Sequence, residues 1–562
     1  MRLPNIREVD NNMVLNDGYK DPRIRKYIMP KKILWQSGNE SVLLSEELLK
    51  EKAGQATVYS GNCCEIKDNG SILLDFGVEL HGGIQLIVQQ CGKTNNCKLR
   101  VRFGESAMEA MSEINYKNST NDHAVRDMII EVSAMGMTEI GNTGFRFIRL
   151  DLLDNDWISL KMIRAVLLYK DLPYLGSFKC SDPILNEIWE TGAYTVHLNM
   201  QDYLWDGIKR DRLVWVGDMH PETSTITAVF GYDECVPKSL DFVRDETSPD
   251  SWMNGIPSYS LWWIIIHYEW FMYNGDMGYL KEQGSYISSL IENILSRINA
   301  DGTNNIEHNF IDWSTNDNQI AKSAGLHALL AMAVDKGGKL CGKLGRTELA
   351  QKCGNVFEVL INRIPEFNNN KPAAALLVLS GILDAEETNR TCLSVNPAKD
   401  ISTFFGYYIL KARAAAGDID GCISLIKDYW GLMLRLGATT FWESFNMDWA
   451  KNAARIDELT PDGMYNTHGD SGEYCYKGYR HSLCHGWASG PTAWITEYVL
   501  GVSVMEEGCK KIKISPSLGT LEWAEGTYPT PLGIIKINIK KQSNGKVETT
   551  VYAPEGIEIL KT

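Results

Sequence analysis

A three-part β–α–β chain is predicted, with a large helical centre between two strand-rich ends. Three observations predict it. Up to about residue 170 the chain is built of short β-rich runs separated by Gly, Asn and Asp. Near Ser181 the apolar period becomes helical, and in about the last 60 residues it returns to two. The parts are placed at residues 1–175, 176–502 and 503–562. A chain of 562 residues holds roughly three to four domains by length, fewer where one is a large toroid.

The first part contains SILLDFGVEL, GIQLIVQQ, CKLRVRFGE, DMIIEVSA and FRFIRLDLL. Their spacing predicts a β-sandwich or jelly roll. The DFG at 75–77 is no kinase signature, because no glycine-rich loop, paired Lys or HRD motif accompanies it. The second part opens with SDPILNEIWETG, whose Ser-Asp-Pro supplies an N-cap and a first-turn proline. Helical stretches are predicted at 261–273, 287–298, 327–344, 373–382, 403–416, 423–436 and 490–500. Many are apolar most of the way round, which implies burial on two sides. Repeated helical hairpins without intervening strands suggest an (α/α) toroid. The third part carries GIIKINIKK and KVETTVYAP, which alternate as strands.

Composition narrows the function. A net charge of −15 argues against nucleic acid or an anionic membrane as partner and suits a neutral ligand. Sixteen Trp and 24 Tyr suit carbohydrate clefts, although aromatics also fill cores. The first residues, MRLPNIREVDNN, carry no apolar signal segment, and no run is long enough to span a bilayer. Thirteen irregularly spaced Cys without a CxxC pair suggest reduced structural thiols, no metal site and a cytoplasmic location.

The most informative stretch is DGIKRDRLVWVGD at 206–218. Three Asp, two Arg, one Lys and one Trp in thirteen residues suit a neutralised, packed site more than a solvated charge run. Carboxylates grip sugar hydroxyls and move protons, and a Trp face suits the apolar side of a pyranose. Two further acidic–aromatic pairs, Asp312-Trp313 and Trp442-Glu443, point the same way.

DGIKRDRLVWVGDMHPE resembles the catalytic motif of the bacterial α-L-rhamnosidases, glycoside hydrolase family 78. DFG, RFGE at 102–105 and GFRFIRL at 144–150 resemble the family's preceding β-domain. ISPSLGTLEWAEGTYPTPLG resembles the start of its C-terminal β-sandwich. The resemblance implies a six-hairpin (α/α)6 toroid between two β-domains and an inverting hydrolysis. That reaction needs an acid and a base on opposite sides of the anomeric carbon, about 6.5–9.5 Å apart, and no cofactor.

Asp211 stands where the motif places the proton donor. The stretch departs from a common family form that carries a Glu after the Asp, so Glu222 in MHPE stays open as the acid. Glu443 in ATTFWESFN resembles the general base, held basic between aromatics. Asp206, Arg210, Trp215, Asp218, Asp312, Trp313, Trp442 and His485 (in HSLCHGWASGP) are expected to hold the sugar. Trp215 and His485 are also suited to core roles, and Trp252 and Tyr259 at least as much to core as to cleft. The expected partner is a small rhamnoside, and a homo-oligomer is left open. Two other readings remain: a toroid glycosidase or phosphorylase for another sugar, and a silent carbohydrate-binding protein.

Overall fold

The structure, a computed structural model, describes residues 21–59 and 61–561; MRLPNIREVDNN lies outside them. Strands between Ile24 and Tyr169 form one hydrogen-bonded nine-stranded sheet. SILLDFGVEL and GIQLIVQQ, expected as separate runs, are one strand, Ser71–Cys91, bent by register shifts between Asp75 and Leu80 and between Gly82 and Ile84. Gly82 has φ +139 and a Cβ there would stand 2.0 Å from the Val166 carbonyl oxygen, so only glycine passes this bend.

Helices fill the centre. Asp182 caps Pro183–Asn199 by accepting from the Ile184 amide. Pro257–Asn274 is buried nearly all round and packs on Gln319–Lys343, which also meets Thr347–Ile361 and Lys371–Leu379. The strand Ser177–Cys180 precedes the first long helix yet pairs antiparallel with Trp523–Thr530 of the C-terminal sheet.

The apolar cores divide by part. The helices share one core with the C-terminal sheet through Ile535, Ile537 and Ile539. The N-terminal sheet keeps its own core, into which the helical part inserts Leu198, Ile208 and Cys484. Two of those insertions, Ile208 and Cys484, flank the site described next. The thirteen cysteines are unpaired, and all but Cys475 are buried. Among the described residues no helix is long and apolar enough to cross a membrane.

Candidate active site

Residues 206–218 pass between the helical part and the N-terminal sheet, and successive side chains point to different partners. Ile208 enters the sheet's core. Lys209 enters a buried pocket of acceptors, 3.0 Å from Glu105 and 3.3 Å from Glu109, and also donates to the carbonyls of Tyr479 and His481. Its ammonium lies between Glu105 and Glu109, which with His468 have a donor spacing that would suit a metal ion. Arg210 turns the other way, toward the cavity. Asp211 and Arg212 then adopt left-handed backbone, φ 57 and 55. Non-glycine residues hold that conformation at a cost of about 1–3 kcal/mol each, and such strain clusters at functional sites. Here it is fixed by Arg212, which donates to the carbonyls of Asn142 and His123 on the sheet side.

Three distant segments zip together around this turn. Gly486 donates its amide to Asp206, His485 to Phe441, and Glu443 to Ser482. Glu443, a single acid in an irregular segment, is thereby held at the cavity wall. Its carbonyl is held in turn by the Thr403 hydroxyl and the Trp487 indole.

The resulting cavity, about 210 Å³, is lined by Asp206, Arg210, Asp211, Trp215, Asp218, Trp313, Glu443 and His485 among others. Arg210 joins its two sides: one Nη stands 3.0 Å from Asp211 Oδ1 and the other 2.5 Å from Glu443 Oε1. The Trp215 indole donates to the other oxygen of Asp211 at 3.2 Å, and His123 Nδ1 lies 3.1 Å from the first. Glu443 Oε2 accepts from the Ser482 amide, while His485 Nε2 stands 3.5 Å from Oε1 and 3.7 Å from Asp206.

Burial governs the charge states. It raises Glu443 from its ordinary value, and Arg210 opposes the rise. Burial, then the charges of Asp218 and Asp211, pushes Asp206 well up. Asp218 is pushed well up by burial, against the hydrogen bond it accepts from Tyr259. His485 is driven well below its ordinary value by burial and by Arg210, so its imidazole is neutral and able both to donate and to accept.

Three expected residues lie elsewhere. Asp312 lines an adjoining groove, capping the short turn Trp313–Thr315, while its neighbour Trp313 lines both spaces. Trp442 is 1% exposed and packs edge-on against Phe445 and His481 in the wall behind Glu443, away from the cavity. Glu222 is fully buried on the helix Met219–Val229, behind Gly486, with no hydrogen-bond partner among the described residues for either oxygen. The cavity also takes Tyr259, Phe310 and Tyr476. Of these only Tyr259 stood out in sequence, as one of several aromatics; Tyr476 has no local signal beyond the aromatic run around it.

Glu105 was not foreseen. It directly follows the sheet strand Asn96–Gly104 and accepts from the Leu483 amide at 2.6 Å and the Ser482 hydroxyl at 3.3 Å. Ser482 in turn donates its amide to Glu443, so the N-terminal sheet braces the segment that holds Glu443.

Residues 173–343 match the family model of the bacterial alpha-L-rhamnosidase six-hairpin glycosidase domain. The chain resembles the bacterial α-L-rhamnosidases. Its fold is that of the GH78 rhamnosidase of Bacillus sp. GL1, with a TM-score of 0.73 at 23% identity over 92% of this chain. The rhamnosidase of Klebsiella oxytoca, in a structure with rhamnose bound, has a TM-score of 0.67 at 19% identity. That match covers 84% of this chain and 95% of the Klebsiella one. An α-L-rhamnosidase of Formosa agariphila is 30% identical over 90 residues, 16% of this chain and 9% of that protein. The chain spans 56% of the Bacillus enzyme's length.

Proposed function

We propose that the chain is an inverting glycoside hydrolase that releases terminal α-L-rhamnose from short oligosaccharides or glycosides. The observation that carries this reading is the Arg210 bridge, which sets Asp211 and Glu443 on one cavity beside Asp206, Asp218 and His485. Asp211 donates a proton to the glycosidic oxygen as its bond to the anomeric carbon breaks. Glu443 takes a proton from the water whose oxygen bonds that carbon from the opposite face. Glu443 suits the base because burial keeps its carboxylate basic while Arg210 keeps it ionised. Asp211 is favoured over Glu222 as the acid because it reaches the cavity and Glu222 does not.

Asp206, Asp218 and neutral His485 are assigned the sugar's hydroxyls, and Trp215 a ring face. Ile256 and Phe310 give the cavity an apolar wall suited to the C5 methyl group of rhamnose. The (α/α)6 toroid at 176–502 and the flanking β-sandwiches at 1–175 and 503–562 belong to the same proposal.

The test is hydrolysis of 4-nitrophenyl α-L-rhamnoside within a panel of nitrophenyl sugars, with and without phosphate. Selective release that ignores phosphate is expected. Phosphate-dependent release would indicate a phosphorylase, and release from a different sugar would replace rhamnose. Binding without turnover would leave a carbohydrate-binding protein.

A further inference from the structure

The helices that build the candidate active site also line a second cavity, of about 330 Å³, farther along their length. Asp218, at the head of Met219–Val229, lines the first cavity, whereas Thr223 and Thr227 of that helix line the second. On Pro257–Asn274, Tyr259 lines the first and Trp270 the second, about 16 Å apart along the axis at 1.5 Å per residue. His485 and Trp487 likewise face the first, and Thr496 and Glu497 the second. Between the two, the rings of His220, Trp262 and Tyr408 stack, with centroids 4.7 to 5.6 Å apart. A side chamber of about 190 Å³ shares Glu269, Lys336 and Lys411 with the second cavity.

Two buried donors in the wall of this second cavity have no acceptor. Thr223 is 5% exposed and Trp270 1%, and neither the threonine hydroxyl nor the indole N–H has a hydrogen-bond partner among the described residues. A donor buried without a partner is costly, so these two call for a polar occupant. The charges, by contrast, are matched. Lys411 stands 3.0 Å from Glu497, Glu269 2.9 Å from His220, and Lys336 3.7 Å from Asp335. None of them is left over to hold an ion. The partly exposed Glu269 carboxylate supplies acceptors, and the Lys336 ammonium, 4.7 Å above the Tyr268 ring, supplies donors. Donors and acceptors set among Tyr268, Trp270 and Tyr407 suit a small hydroxylated ring, whose hydroxyls both give and accept and whose C–H faces are apolar. A space of this size admits one such ring.

We infer that the second cavity is a binding site for a neutral monosaccharide, separate from the cavity of Asp211 and Glu443. A sugar acid would bring a charge that finds no counterpart there. The inference does not depend on which glycoside the first cavity cleaves.

The experiment is calorimetric titration of the unaltered protein with L-rhamnose, D-glucose, D-galactose and D-glucuronate, repeated on the double variant Thr223→Val/Trp270→Phe. Each change deletes an unpaired buried donor and leaves an apolar group in its place, so the melting temperature should hold. Should the double variant melt early, Thr223→Val alone, which keeps the side chain's shape, carries the test with an expected loss of about threefold. At least one neutral sugar should bind at a site whose affinity the double variant lowers by about tenfold, the scale of two lost hydrogen bonds, and D-glucuronate should not compete for it. Hydrolysis of 4-nitrophenyl α-L-rhamnoside, which reports the first cavity, should change by under about twofold. Titrations that the variant leaves unaltered for every sugar, binding of none of them, or preference for D-glucuronate would each overturn the inference. Failure to hydrolyse any rhamnoside, with the titrations as expected, would overturn the rhamnosidase reading and leave this one standing.

Discussion

Buried Arg210 and Glu443 stand 2.5 Å apart, joined by a charge-assisted hydrogen bond at the wall of the cavity. Burial pulls the carboxylate toward protonation and the guanidinium holds it ionised. A carboxylate kept basic by burial and ionised by its cation is suited to take a proton from water. It follows that Glu443→Gln, which preserves shape but cannot accept a proton, should lower kcat by about 10³-fold with KM little changed. Steady-state rates on nitrophenyl and disaccharide rhamnosides check this, and the loss should be the same for both leaving groups.

Removing the guanidinium should move the pH profile. Arg210 lowers the proton affinity of Glu443, so Arg210→Gln should raise it. The acid limb of kcat/KM, which marks ionisation of the base in the free enzyme, should shift to higher pH. A limb that stays in place would detach the base from Glu443.

Asp211→Asn should separate leaving groups. Nitrophenolate leaves without a proton and a sugar alkoxide does not, so the variant should lose about 10²-fold or more on a disaccharide and far less on nitrophenyl rhamnoside. Equal losses would assign Asp211 to binding and return Glu222 to consideration as the acid.

The sheet's brace on the site is open to a test of its own. Glu105→Ala leaves Lys209 buried with one carboxylate fewer and frees Leu483 and Ser482, at a cost of about 3 kcal/mol in unfolding free energy. It should also lower kcat more than it raises KM, through Glu443. Glu105→Gln keeps the acceptor for the Leu483 amide and should recover most of the rate but less of the stability. Denaturant unfolding and kinetics on both variants check the split.

Buried Glu222 gives a stability prediction with a definite sign. Burial, then Asp218 and Asp206, raises its folded-state proton affinity well above the unfolded value. Such a group contributes stability below the unfolded value that is lost as pH climbs through the folded one. Glu222→Gln removes this dependence, so its melting temperature relative to the unaltered protein should rise between pH 4 and pH 8.

What the sequence made legible follows the range of each interaction. The β–α–β order was legible because apolar period is a local property. The stretch 206–218 was legible because Asp206, Arg210, Asp211 and Asp218 are close in sequence, and Glu443 and His485 through their resemblance to a known family. The flanking aromatics of Glu443 did predict its burial, yet Trp442 faces the core while Arg210, from 233 residues away, faces the carboxylate. Glu105 reaches Leu483 across 378 residues and reads in sequence as an ordinary acid after a strand. The helix Met219–Val229 was missed because its Thr, Ile and Val residues favour strands locally and tertiary packing overrides them. The single strand Ser71–Cys91 was divided at glycines that turned out to be bends.

Asp211 and Glu443, sharing one cavity as acid and base, require inversion at the anomeric carbon. Proton NMR of the first product formed from 4-nitrophenyl α-L-rhamnoside tests it directly, before mutarotation mixes the anomers. β-L-Rhamnose should appear first, with its appearance suppressed by Glu443→Gln. First appearance of α-L-rhamnose would mean a covalent, retaining route and would contradict the assignment of Glu443 as the base that activates water.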